Sequence, residues 1–454
     1  MAMIRSALQL HTLQIRLAPR RDRLTEAMFQ VVRGDEPPSE VARCRLGDLG
    51  LPNALIANAP VDDEKLIIPD GILARLVTAI AGLGPSPASA ANVLWLEFPS
   101  PRGFLYIVPW ERLLAPLGRR ILRVPNHMIR PHTPQRVLEV AICTSAPMAK
   151  ERFNPVEALQ PIIEQYKQAS PHRVAIHVFT DSESYRSVAQ HISDHGNVVV
   201  HNPADAAGGS LNRSSAVNQE ARTSNPWLIW IRDALKGRAL DFVHFVGHGF
   251  MSGDQGALAV ALSPTAHADR GLSQLIGSAE LNVFLGQVGA WGLVLSGPYR
   301  NYSDVGLREL ADSIVQNRPG LAITHDQGRD GDSTQLGRIL QRVLNPSFAS
   351  DEALPAITCW VHPTYVDYPG TYCEELHLDS DGSSTFIAAR TRHALADEGT
   401  AGWVASATRV LETHQMRWLP DSADEATDNA AVTALRNVAD LVERHVAQTY
   451  GEGP

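Results

Sequence analysis

The chain has 454 residues, 44% of them hydrophobic and 20% charged, with a formal net charge of −9. That length calls for two or three units rather than one ordinary domain, and the acidic balance argues against nucleic acid as a direct ligand. Four cysteines are too few for a disulfide scaffold and imply a reducing, cytoplasmic setting, and no run approaches the roughly 18 apolar residues that span a bilayer.

In chain order, Leu8 and Leu10, then Leu13, Ile15 and Leu17, alternate with polar residues, which predicts a half-buried first strand. A helix is expected near Leu24–Val32 and another over Ile72–Ile80, and residues 82–91, rich in Gly, Pro, Ala and Ser, read as a linker. Strands are predicted at Val93–Phe98 and Gly103–Val108, followed by a helix opened by Pro109. From Arg136 the pattern alternates. Apolar strands at Val137–Cys143, Val174–Phe179, Val198–His201, Asp241–His248, Leu293–Leu295, Gly320–Thr324 and Pro355–Val361 are separated by helices at Val156–Gln168, Ser182–His195, Pro226–Leu235 and Val305–Gln316. Continuous apolar strands between helices imply a mostly parallel sheet covered on both faces. The polar stretch 202–225 reads as a surface loop. Phe386–Leu419 and Ala431–Gln448 read as a helical C-terminal segment. The division expected is a small N-terminal α/β or β-rich unit over residues 1–90, an α/β domain over 91–380 and the helical segment over 381–454.

Ligands and catalytic groups of open parallel sheets collect at the carboxyl ends of the strands. Four places lie there: Cys143-Thr144-Ser145, His248-Gly249, Ser296-Gly297-Pro298 and His325-Asp326. A glycine beside a histidine lets a substrate approach and leaves an amide able to donate to an oxyanion. A histidine at a strand end is equally often a satisfied structural group, and Cys143 has the character of a small core residue. Asp326, Asp330 and Asp332 lack the spacing of a calcium loop and read as capping and loop carboxylates. Arg20-Arg21 and Arg119-Arg120 read as solvated turns, and the tryptophans at 227, 230, 291, 403 and 418 as core or interface anchors.

Four segments, in order, resemble one family: FLYIVPWERLL at 104–114, Arg136–Cys143, DFVHFVGHG at 241–249, and LRELADSIVQNRPGLAITHD at 307–326. Over roughly residues 93–365 the chain resembles the CHAT family of caspase-like proteins, which group with separase and the caspases in one peptidase clan. The resemblance implies a caspase-like sheet sandwiched by helices, with His248 as general base and Gly249 lending an oxyanion amide. It also implies a role beside a sensor or effector protein in a bacterial conflict or antiphage system. In that family the next strand ends in a Leu-Ser-Ala-Cys type stretch carrying the nucleophilic thiol. Here the matching stretch is Val294-Leu295-Ser296-Gly297-Pro298, and proline has neither a thiol nor an amide proton.

Three readings follow. The leading one is a catalytically degenerate protein that binds or regulates a protein partner, without a cofactor. The second is a working peptidase with His248 as base and Ser296 or Cys143 as nucleophile. The third is a module stabilised by zinc on Cys359, His362, Cys373 and His377. Their two close pairs suit a thiolate and imidazole ion site but match no strong zinc template.

Overall fold

A computed structural model describes residues 10–19, 25–33, 36–51, 63–83, 93–99, 103–125, 137–147, 153–192, 196–208, 223–253, 255–265, 273–298, 304–318, 320–345 and 352–363. The expected C-terminal helical segment, with Trp403 and Trp418, lies outside them. Among the described residues no helix is long and apolar enough to cross a membrane.

The N-terminal part forms an antiparallel meander, β1 (His11–Pro19), β2 (Thr25–Arg33) and β3 (Ser39–Arg45), then helix α1 (Asp70–Ala81) and β4 (Val93–Glu97). After a 3-10 turn at Leu105–Ile107 come a short helix α2 (Trp110–Leu113) and β5 (Arg120–Arg123). The alternating part is β6 (Val137–Thr144), α3 (Pro155–Ala169), β7 (Arg173–Thr180), α4 (Ser182–Ile192), β8 (Val198–Val200), α5 (Pro226–Ala234) and β9 (Phe242–Val246). A separate three-stranded antiparallel sheet follows, β10 (Gly249–Ser252), β11 (Gln255–Ala261) and β12 (Ser273–Gly277). The described chain then runs through α6 (Ser278–Gln287), β13 (Gly292–Gly297), α7 (Asp304–Asn317), β14 (Leu321–Asp326), α8 (Thr334–Leu344) and β15 (Ile357–Trp360).

Twelve strands make one sheet in the order β3-β2-β1-β4-β5-β15-β14-β13-β9-β6-β7-β8. The neighbours from β14 to β8 are all parallel, and so are those from β1 to β15, but the two blocks oppose each other because β15 is antiparallel to β14. Alternation along the central strands sorts the core. Phe242, Val246, Val294 and Ile323 join α3 and α8 on one face. Val243, Phe245, Leu293 and Leu295 join α5, α6 and α7 on the other. A third core collects Leu13, Phe29, Leu76, Leu94, Trp110 and Ile121, so the N-terminal packing reaches past residue 90 into β4 and β5. Trp227, Trp230 and Trp291 are buried, as expected of anchors. Helices begin where Asn-Pro pairs permit: Asn154 and Asn225 accept the amides of Val156 and Trp227 at 3.0 Å, ahead of Pro155 and Pro226.

Three elements differ from expectation. The helix expected over Leu24–Val32 is strand β2. It pairs along the whole length of β1, with Phe29 opposite Ile15, Val31 opposite Leu13 and Val32 opposite Thr12, and tertiary pairing of aromatic and β-branched residues outweighs local helical spacing. The strand expected at Gly103–Val108 is a 3-10 turn, because the carbonyls of Tyr106 and Val108 are taken by the Arg123 guanidinium instead of a ladder. Arg120, expected in a solvated turn, is buried in β5, which is enclosed on both faces.

Within the block from β1 to β15 the shortest junction is that of β5 with β15. One register pair, Trp360 with Arg123, joins them, extended by the amide of Val361 donating to the Arg123 carbonyl at 3.1 Å. That short ladder is reinforced by a buried ion pair. Arg123 donates from Nε and Nη2 to the two Glu111 oxygens at 2.7 and 2.9 Å, and its guanidinium stacks over Trp360 with 4.8 Å to the ring centroid. Thr358 on β15 donates to Glu111 at 3.1 Å. Because removing one partner strands a charge in low dielectric, Glu111→Gln is expected to lower the unfolding free energy by about 3–5 kcal/mol, measured by urea denaturation of the two proteins.

Candidate functional site

The parallel register of β13 and β14 sets Ser296 directly beside His325, and β9 places His244 one diagonal step away. All three point to the face covered by α3 and α8, where the Tyr166 ring of α3 meets His244 edge-on at 5.8 Å. Here they form a continuous chain of hydrogen bonds. His244 Nε2 lies 2.7 Å from Ser296 Oγ, Ser296 Oγ lies 2.9 Å from His325 Nδ1, and His325 Nε2 lies 3.1 Å from Asp330 Oδ2. Asp330 also accepts the amides of Gln335 and Leu336 at 3.1 and 3.0 Å, which caps α8. Both His244 and Ser296 are wholly buried.

Chemistry assigns the protons. Burial, and then the neighbouring His325, push His244 well below the ordinary histidine range, so it is neutral. Burial would raise Asp330, but the bonds from His325 and from the Gln335 and Leu336 amides outweigh it and hold the carboxyl low. An ionised Asp330 takes the His325 Nε2–H. With the His244 proton on Nε2, Ser296 accepts it and turns its own hydroxyl proton to the His325 side. This leaves His244 Nδ1 bare, and that atom has no hydrogen-bond partner among the described residues. An unpaired acceptor there leaves no N–H stranded.

The order serine, histidine, carboxylate is that of nucleophilic hydrolases. The oxygen, however, spends its proton on one histidine and accepts from another, and none of its surface is open to a carbonyl carbon. What the chain does is fasten three central strands to the turn that starts α8.

The residues singled out from the sequence are dispersed. Ser296 is bonded to His244 and His325, not to His248. His248 is itself buried, with Phe153 packed edge-on at 5.9 Å between ring centroids, immediately before the Asn154 cap of α3. A cavity of about 300 Å³ at the carboxyl ends of β6 and β7 has Phe153 and Asp181 on its wall, and His248 is not among its lining residues. Gly249 begins β10 rather than ending β9. Cys143 is buried on the opposite face, in the core with Phe245, where burial, with a smaller push from Asp181, drives its thiol well above the usual range. Pro298 follows β13 and is buried, while the carbonyls of Ser296 and Gly297 accept from Gly247 and Gln327 at 3.1 and 3.0 Å.

Cys359 is buried in β15 with its thiol likewise raised by burial, and burial pushes His362 down to about 4. Cys373 and His377 lie outside the described residues. Among those described, no three His, Cys, Asp or Glu side chains converge as metal ligands. His325 and Asp330 were visible at a strand end and as a cap, but nothing in the sequence linked them to Ser296. The useful signal was position: His325 and Ser296 are each the penultimate residue of their strands, β14 and β13.

No family model matches the chain, and neither does any curated protein or solved structure. The large, mostly parallel sheet covered by helices is consistent with a caspase-like fold.

His244 is kept neutral by the fold, and burial also lowers His201 to about 4. Unfolded, both titrate near 6.5, so below that pH the unfolded chain binds more protons and stability is lost as pH falls. Denaturant unfolding measured downward from pH 7.5 is expected to show this loss. In His244→Gln the slope should be shallower by up to about 1.4 kcal/mol per pH unit.

Proposed function

We propose that this is a catalytically degenerate, CHAT-like protein of a bacterial conflict or antiphage system, acting by binding or regulating a protein partner. The observation that carries this reading is the state of Ser296. Its hydroxyl is buried between two histidines, while the place where the family's thiol would stand is a buried proline. The burial of His248 against Phe153 supports the same conclusion, since a general base must reach the proton it takes.

One observation favours a second reading. Ser296, His325 and Asp330 already have the connectivity of an acyl-transfer relay, so a rearrangement that uncovered Ser296 would yield a serine hydrolase rather than a cysteine peptidase. A fluorophosphonate probe separates the two. The non-catalytic reading expects no labelling of the native protein. Labelling that disappears in Ser296→Ala would instead establish the hydrolase.

A further inference from the structure

Away from the histidine chain, three arginines from three different places meet at the edge where β14 ends and β15 begins. Arg112 comes from α2, Arg308 from α7 and Arg329 from the turn after β14. Together with Thr324, Thr358 and Asp63 they border a cavity of about 30 Å³. A single water needs roughly 10–15 Å³, so the space holds about two waters, or the leading oxygens of one small anion.

The arginines are not equally matched. Arg308 is buried, donates from Nε to the Ile107 carbonyl, and grips both Asp63 oxygens at 2.8 and 3.0 Å. Arg329 pairs with Glu64 at 2.5 Å and with Asp326 at 3.1 Å. Arg112 donates to the backbone carbonyl of Asp63, and none of the described ion pairs includes it. Desolvation chiefly, then Arg329 and more weakly Arg308, hold its guanidinium below the usual pKa despite the pull of Asp63 and Glu64. A half-buried cation facing two others across a cavity is a group that an incoming anion would relieve.

We propose that this cavity binds a tetrahedral oxyanion, phosphate either free or as a small ester, with Arg112 as its principal contact and Arg308 and Arg329 beside it. Guanidinium forks converging from separate elements suit an anion whose oxygens point in several directions better than a flat carboxylate. Thr324 of β14 adds a hydroxyl to the wall, while that of Thr358 is engaged with Glu111. Asp63 and Asp326 also lie on the wall, so they set a limit on affinity and favour an anion that can take over part of the bonding of Arg329.

The test is thermal unfolding of the whole chain against increasing inorganic phosphate, with sodium chloride matched for ionic strength. A ligand held by the folded state raises the midpoint as its concentration rises. The expected result is a saturable rise with phosphate and with sulfate but not with acetate, and an apparent affinity about tenfold or more weaker in Arg112→Gln. That is the loss expected when a charge-assisted hydrogen bond is removed. Arg329→Gln should weaken it too, and Arg75→Gln, on an exposed face of α1, should not. If phosphate gives no rise beyond chloride, or the same rise in Arg112→Gln, the arginines serve only to clamp Asp63 and Glu64, and the proposal is overturned. An equal response to acetate overturns the assignment to phosphate. If Arg112→Gln does not fold, the Arg329→Gln titration decides on the same criteria.

Discussion

The architecture turns on the Arg123–Glu111 pair. On one side of it lie β3, β2, β1, β4 and β5, on the other β15 with the six-stranded parallel block from β14 to β8, and the ladder joining β5 to β15 is a single register pair long. Backbone pairing of that length is a weak seam in so wide a sheet. The guanidinium compensates by acting in several directions at once. It neutralises Glu111, ties down the carbonyls of Tyr106 and Val108, and stacks on Trp360 of the neighbouring strand. Both charges are withdrawn from water, which is tolerable because the pair is bidentate and the Tyr106 and Val108 carbonyls and the Thr358 hydroxyl add further hydrogen bonds to it.

The same rule governs the His244–Ser296–His325–Asp330 chain. Parallel strands buried on both faces are ordinarily filled with aliphatic side chains, yet here three neighbouring strands contribute polar groups to one layer. Unsatisfied, such a row would be costlier than an apolar core; here one acceptor, His244 Nδ1, is left without a partner among the described residues, and the remaining bonds make the row a specific fastening between strands. It also answers what the histidine-rich strand is for. His244 serves the interior row, and His248 packs under Phe153.

Much of the central architecture was legible because it is written locally. Runs such as Val137–Cys143 and Asp241–His248 are predominantly apolar, and the helical spacing of Val156–Gln168 and Pro226–Leu235 marks two of the helices between strands. β2 was illegible because its partner β1 decides its conformation. The turn at Leu105–Ile107 was illegible because a side chain near residue 123 claims its carbonyls. The site divides in the same way. That Pro298 cannot act as a nucleophile follows from its chemistry alone, and Asp330 was identifiable as a cap. The bond from Ser296 to His325 depends on how two strands align across a helix, and no spacing along the chain expresses that.

The placement of β15 has a consequence for synthesis. The strand that fills the gap between β5 and β14 lies at residues 357–360, whereas β5 ends at residue 123, an interval of 234 residues from Arg123 to Ile357 (357 − 123). At about 5–20 residues per second, the ribosome leaves that edge of β5 without its neighbour for roughly 10–50 seconds. A bare strand edge is a template for pairing with other chains, and charged residues are a common safeguard on such edges. β5 carries arginines at both ends, Arg120 and Arg123. The side chain that later seals the junction is therefore also one that guards the nascent edge until β15 arrives.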